Sequence, residues 1–261
     1  MTDHPLRTAD LTVIGQVTTA SNVTLVCETD PAGTDGAAVR VVYKPVRGER
    51  PLWDFPDGTL AQREVASYLV SEALGWGVIP ETVLRDGPYG PGMVQRWIDS
   101  IEDGPELVDL VAAGEIPGGY REVLRALDPS GHPVSLVHAD DPRLLRMAVL
   151  DVLINNADRK GGHVLSGDDG RVYGVDHGIC LNTAPKLRTV LWGWAGETLA
   201  DELLTDITVL VKAIPGELGG RLSELITDAE VEALAARGQG LLEHPVLPQP
   251  TGQRPIPWPA F

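Results

Sequence analysis

The residues best suited to chemistry lie in two short segments near the middle of the chain. Residues 155–163 contain two asparagines, an aspartate, an arginine, a lysine and a histidine, and residues 175–178 contain Asp176 and His177. Carboxylate, amide and imidazole groups in such a loop can hold Mg²⁺ together with phosphate oxygens. The two segments therefore predict a site for a metal ion and phosphate.

A predicted hairpin lies between these segments. Residues 164–166 and 171–176 are expected to be strands, and a Gly-Asp-Asp-Gly turn joins them. An antiparallel hairpin places the start of its first strand beside the end of its second, so His163 and Asp176 should lie close together. Asp158 precedes the hairpin directly, and we expect all three side chains to converge.

The elements around these segments change in type along the chain. Strands are predicted at residues 11–14, 23–27, 38–43, 82–84 and 93–98, with one helix at 65–74 that Gly75 ends. Helices are predicted afterwards at residues 107–113, 143–155, 201–214 and 228–237. This order predicts an α+β bilobal fold, with residues 1–98 as a β-rich N-lobe, residues 99–261 as a helical C-lobe, and a ligand cleft between them.

The composition excludes several kinds of partner. The chain has 261 residues and a formal net charge of −16, and such a surface repels phosphate backbones, so we expect no nucleic-acid partner. The sequence has neither a signal peptide nor an apolar stretch of membrane-spanning length, so we expect no membrane insertion and a cytoplasmic location.

The two chemical segments carry a family resemblance. Asn156-Ala-Asp-Arg followed by His163, and then Val175-Asp-His-Gly, resembles the catalytic and metal-binding loops of phosphatidylinositol 3-/4-kinases. The likeness is greatest to the type II phosphatidylinositol 4-kinases and to small actinobacterial kinase-like proteins, and it covers roughly residues 15–204. It implies a protein-kinase-like fold and an ATP- and Mg²⁺-dependent kinase that transfers the γ-phosphoryl group to a hydroxyl.

The resemblance also implies a role for individual residues. Asp158 would be the catalytic aspartate that orients or deprotonates the acceptor hydroxyl, and Arg159 would support the loop or meet the developing charge. Asp176 would bind Mg²⁺ on the phosphates of ATP. Lys44 would contact the α- and β-phosphates, and Glu64 would pair with Lys44. Without the resemblance, Asp158 and Arg159 could form a surface turn, and Lys44 could be an ordinary lysine at a strand end.

Four further residues are candidate nucleotide contacts by their place in the same scheme. Ser21 and Asn22 lie in the hairpin turn where kinases place a phosphate-covering loop, although a plain turn is an equal alternative. Gln95 and Trp97 lie on the strand between the lobes, where backbone groups hold adenine in kinases. Core packing of this strand is the competing interpretation.

His163 departs from the family pattern, which has a metal-binding asparagine at this position. A neutral imidazole prefers softer metals, whereas Mg²⁺ favours oxygen ligands. His163 could therefore contact phosphate, hold a metal through a water or ligate Mn²⁺. Alternatively, a second metal site is absent.

The acceptor is not identified by the sequence. The chain lacks the cysteine-rich insert of the type II lipid kinases, and a soluble small molecule or protein is expected as the acceptor. Trp192 and Trp194 could stack on an acceptor, but core packing is favoured. The alternatives to a kinase are a non-catalytic nucleotide-binding protein and an adenylyl or glutamyl transferase on the same fold.

Overall fold

The computed structural model describes residues 5–18, 20, 22–30, 38–56, 59–101, 104–252 and 254–261. After the short helix α1 (Pro5–Thr8), the first part of the chain forms a five-stranded antiparallel sheet in the order β1-β2-β3-β5-β4. Its strands are β1 (Leu11–Gln16), β2 (Leu25–Thr29), β3 (Arg40–Pro45), β4 (Thr82–Gly87) and β5 (Gly90–Arg96). The predicted strands of this region are confirmed, and β3 ends with Lys44 and Pro45.

Helix α2 (Leu60–Leu74) is the one long helix among the residues that the structure describes up to the end of β5. Thr59 caps it in a capping box, because its side chain accepts from the Gln62 amide while the Gln62 side chain accepts from the Thr59 amide. Gly75 ends the helix with a φ of 70°, a left-handed conformation that glycine adopts without steric cost. The predicted helix is confirmed and begins five residues earlier than expected.

A second sheet has three strands in the order β6-β8-β7. They are β6 (Val108–Ala112), β7 (Tyr120–Leu127) and β8 (Pro133–Ala139). The helix predicted at residues 107–113 is therefore wrong. β6 pairs antiparallel with β8 further along the chain, with Val108 opposite His138 and Ala112 opposite Val134, and this backbone pairing makes the segment a strand.

The remaining part of the chain is mainly helical. Asp141 caps α3 (Pro142–Leu153), whose first residue is a proline that lacks the amide a helix start leaves unpaired. The hairpin of β9 (Val164–Ser166) and β10 (Val172–Gly174) follows, and then α4 (Asp201–Ala213), α5 (Glu217–Ser223) and α6 (Asp228–Glu243). The predicted hairpin is confirmed, as are the predicted helices at α3, α4 and α6.

One large apolar core joins α2 to these later helices and to the second sheet. A smaller core lies on the first sheet, between α1 and the strands. The fold is α+β, with a β-rich region and a helical region, as expected, while the lobe boundary at residues 98 and 99 stays a prediction. In the described part of the chain, no helix has the length and apolar character to cross a membrane.

Candidate active site

Lys44 lies at the centre of a chain of charges that links distant parts of the sequence. Its Nζ is 2.7 Å from Oε1 of Glu64 and 2.8 Å from Oδ1 of Asp176. Glu64 is buried on α2, and its Oε2 accepts a hydrogen bond of 2.8 Å from the amide of His177. One carboxylate of α2 therefore holds both the lysine of β3 and the backbone of the segment that carries Asp176.

The electrostatics of this group follow from its burial and its pairing. Burial lowers the pKa of Lys44, but the carboxylates of Asp176 and Glu64 outweigh that effect, and the pKa is raised above its ordinary value. The nearby Lys44 ammonium lowers the pKa of Asp176 well below its usual range, whereas burial raises the pKa of Glu64. Lys44 is therefore a cation and Asp176 an anion at neutral pH.

Asp158 faces the same space. A cavity of about 90 Å³ is lined by Lys44, Glu64, Asp158, Asp176 and further residues, which include Asn22, Lys160 and Gly178. The amide of Asp158 donates to Oδ1 of Asn156 at 2.9 Å, and this hydrogen bond holds the backbone of the loop from which the carboxylate extends. Burial raises the pKa of Asp158, and the ammonium of Lys160, 3.5 Å from Oδ2, opposes that shift.

The hairpin brings His163 to Asp176. Nε2 of His163 lies 3.4 Å from Oδ2 of Asp176, and burial lowers the pKa of the imidazole to about 4. Nδ1 of His163 is buried and has no hydrogen-bond partner among the described residues. Asp176 has a φ of 62°, in the left-handed region that non-glycine residues seldom adopt, and such strain is concentrated at functional sites.

Arg159 lies behind the cavity rather than on its wall. Its side chain is fully buried and forms an ion pair with Asp151 of α3, with Nη2 2.9 Å from Oδ1. Nη1 donates to the carbonyl of Val175, and Nη2 donates to Nε2 of His177 at 2.6 Å. Arg159 thus joins α3 to both chemical segments, and its role in a reaction stays a prediction.

The other predicted nucleotide contacts lie in different surroundings. Asn22 lines the cavity, and its Oδ1 accepts from the amide of Arg50, while Ser21 lies outside the described residues. Gln95 is buried, and its side chain donates to Thr82 within the sheet. The Trp97 amide donates to the carbonyl of Arg40. Neither Gln95 nor Trp97 is brought to the cavity, and their contacts with a nucleotide stay a prediction.

The two tryptophans after the hairpin are core residues. Trp192 and Trp194 are 9% and 3% exposed, and the ring of Trp194 packs on His138 with centroids 4.2 Å apart. Nε2 of His138 accepts from the amide of Gly193, and its Nδ1 contacts the carbonyl of Ala139. The core-packing interpretation of these tryptophans is confirmed.

Several residues of the site were not singled out by the sequence. Lys160 lines the cavity, and Asp151 accepts from Arg159, from Asn156 and from Thr189. In the sequence, Asp151 is noticeable only as an acidic residue among the apolar residues of α3. Among the described residues, His, Cys, Asp and Glu side chains form no group of three or more that could hold a metal ion by themselves.

The architecture is similar to solved kinase structures. The crystal structure of the Golgi casein kinase with Mn/ADP bound has a TM-score of 0.53 and 13% identity, covering 92% of this chain and 74% of that one. A second crystal structure of the Golgi casein kinase has a TM-score of 0.51 and 14% identity, covering 92% and 72%. The chain therefore has the bilobal kinase-like fold.

A relative of known sequence places the chain in a family. The chain is 55% identical over 265 residues to protein Rv2133c of Mycobacterium tuberculosis, and the match covers 98% of this chain and 94% of that protein. The chain belongs to the same family as Rv2133c. No protein-family model matches it.

Proposed function

We propose that this protein is an ATP-dependent kinase that transfers the γ-phosphoryl group to a hydroxyl of a soluble acceptor. The observation that carries the proposal is that Lys44, Glu64, Asp158 and Asp176 line one cavity, although they come from four separate segments. Burying charged groups costs free energy, so a protein without use for them gains nothing from their convergence. The kinase-like fold supports the same conclusion.

Each residue has a distinct task in the proposed reaction. The Lys44 ammonium offers three donors to phosphate oxygens, and Glu64 restricts where that ammonium can lie. Asp158 would accept a hydrogen bond from the acceptor hydroxyl and take its proton as the hydroxyl oxygen bonds to the γ-phosphorus and ADP leaves with the bridging oxygen. Arg159 acts from behind by holding the loop in place.

The residues fit a divalent ion that is bound together with a nucleotide. Mg²⁺ is commonly held by one or two carboxylates and by substrate phosphates, and about half of the Asp176 side chain is exposed at the cavity. Asp176 would hold the ion, and His163 beside it favours Mn²⁺ as an alternative to Mg²⁺. When bound, the ion would neutralise phosphate charge.

The resemblance to phosphatidylinositol 3-/4-kinases supports ATP chemistry in this proposal and leaves the acceptor open. A surface with a net charge of −16 disfavours docking on an anionic membrane, so a soluble acceptor is the better match.

The position of label transferred from ATP separates this proposal from its alternatives. The protein is incubated with ATP that is labelled at the γ- or the α-phosphate, with Mg²⁺ or Mn²⁺ and a fraction of small metabolites and proteins. A kinase moves only the γ-label to an acceptor. Transfer of α-label would identify an adenylyl transferase instead. If neither label is transferred, labelled glutamate separates a glutamyl transferase, which attaches it to the acceptor, from a non-catalytic nucleotide-binding protein.

A further inference from the structure

Arg63 is a buried arginine next to Glu64 on α2 that points away from the cavity. Its side chain is 2% exposed. Nη2 lies 2.7 Å from Oε1 of Glu230, and Nη1 donates to the carbonyl of Cys180 at 3.0 Å. The guanidinium also packs over the ring of Phe55, at 5.0 Å from its centroid.

These partners belong to two other parts of the fold. Glu230 lies in the first turn of α6, where it is held by the amide and hydroxyl of Thr227. Cys180 follows shortly after Asp176 in the segment that leads away from the hairpin. One guanidinium therefore joins α2 to α6 and to the segment that carries the predicted metal ligand.

The position of α2 decides whether Glu64 can make its contacts. Glu64 is bonded to Lys44 at 2.7 Å and to the amide of His177 at 2.8 Å, and both distances depend on where the helix lies. At the far end of α2, Nε1 of Trp76 donates to Asp206 of α4 at 2.7 Å. Both ends of α2 are thus tied to the helical region of the chain.

We propose that Arg63 is a positioning residue that keeps α2 docked on the helical region, so that Glu64 holds Lys44 and the His177 amide together. The planar fork of arginine suits this task because it reaches a carboxylate and a carbonyl at once, whereas lysine presents a single ammonium. The inference rests on the proposed function for its catalytic consequence, but the docking of α2 can be measured separately.

The test uses a pair of substitutions that removes the contacts of the Arg63 guanidinium without leaving the Glu230 carboxylate buried and unpaired. Arg63→Met alone removes the cation beside Glu230, and this variant could fail to fold. The double variant Arg63→Met/Glu230→Gln removes both charges of the pair, and we expect it to fold because no unpaired charge is left at this position. Leu234→Ala is the matched control, because it destabilises the same helix α6 by removing part of a buried apolar side chain while the charges of Arg63 and Glu230 stay in place.

Two readouts are compared in the double variant. We expect kcat for phosphoryl transfer to fall about tenfold or more, as for other losses of positioning, while the KM for ATP changes little. We also expect the His177 amide to exchange its hydrogen faster than in the wild type, with the amide of Ala148 in α3 unchanged. Leu234→Ala should keep the wild-type kcat at a temperature where it is folded.

The two readouts separate the inference from the proposed function. A double variant that regains stability and also keeps wild-type kcat and His177 exchange would overturn the positioning role. If the wild type itself transfers no phosphoryl group, the proposed function fails, and the His177 exchange rate still decides whether Arg63 docks α2.

Discussion

Replacing Arg159 with methionine tests whether this residue acts through the buried framework or directly on the reacting groups. Both Arg159 and Asp151 are fully buried. Asp151 accepts from Nε and Nη2 of Arg159, from Nδ2 of Asn156 and from the hydroxyl of Thr189. Methionine fills a similar volume but leaves the Asp151 carboxylate with only two neutral donors.

The expected cost follows from that uncompensated charge. Removing one partner of a buried ion pair destabilises a protein by about 3–5 kcal/mol. For a chain of this length each kcal/mol lowers the Tm by about 2–4 °C, so the Tm of Arg159→Met should fall by roughly 6–20 °C. Asp151→Asn combined with Arg159→Met should recover most of this loss, since neither charge of this buried pair then remains.

The assay is chemical unfolding with two controls. Urea unfolding followed by circular dichroism gives the free energy of unfolding of each variant. Arg171→Met is the control arginine, because its side chain is 69% exposed and its pairing with Asp169 is long at 3.8 Å, so it should change stability by about 0–1 kcal/mol. A stability within about 1 kcal/mol of wild type for Arg159→Met, combined with a complete loss of transfer, would refute the framework role and favour direct contact with the developing charge.

Two further predictions concern histidines. His163→Asn should weaken Mn²⁺ binding in the presence of nucleotide by about tenfold, because the imidazole is lost beside Asp176, and paramagnetic resonance of free Mn²⁺ measures it; unchanged Mn²⁺ affinity would contradict a ligand role. Burial lowers the pKa of His138, with Arg121 acting in the same direction and Asp140 against it, so the unfolded state binds its proton first as the pH falls. The stability that the neutral ring contributes is therefore present above about pH 6.5 and is lost below it, and His138→Gln should flatten the dependence of the free energy of unfolding between pH 7 and 5 by up to ~1.4 kcal/mol per pH unit. An equal slope in urea titrations of both proteins would show that His138 does not titrate differently on folding.

The candidate site was accessible to sequence reasoning because part of its geometry is local and the rest follows the order of residues in the family that the sequence resembles. The hairpin that brings His163 to Asp176 needs only two short strands and a turn. The sequence pattern predicted the strand that ends at Lys44 and the helix beside Glu64, while the pairing of the two residues was implied by the family resemblance. Their contact distance, and the bond from Glu64 to the His177 amide, came only from the structure.

Other features depend on partners that are distant in the chain. Residues 107–113 form a short apolar stretch that fits a helix or a strand, and only the pairing of β6 with β8 decides between them. Burial of Arg159 depends on Asp151, which lies on the preceding helix. The amide of Trp97 donates a hydrogen bond to the carbonyl of Arg40, and no local sequence pattern near β5 predicts this contact.

The most direct test of the central claim is transfer of γ-labelled phosphoryl by Asp158→Asn alongside a measurement of its ATP affinity. Asparagine keeps the shape of the side chain but cannot take a proton, and Asp158 makes no contact that holds Lys44 to Glu64. We expect transfer to fall by at least about a hundredfold while the affinity for ATP with Mg²⁺ stays close to that of the wild type. Wild-type transfer by Asp158→Asn would contradict this expectation.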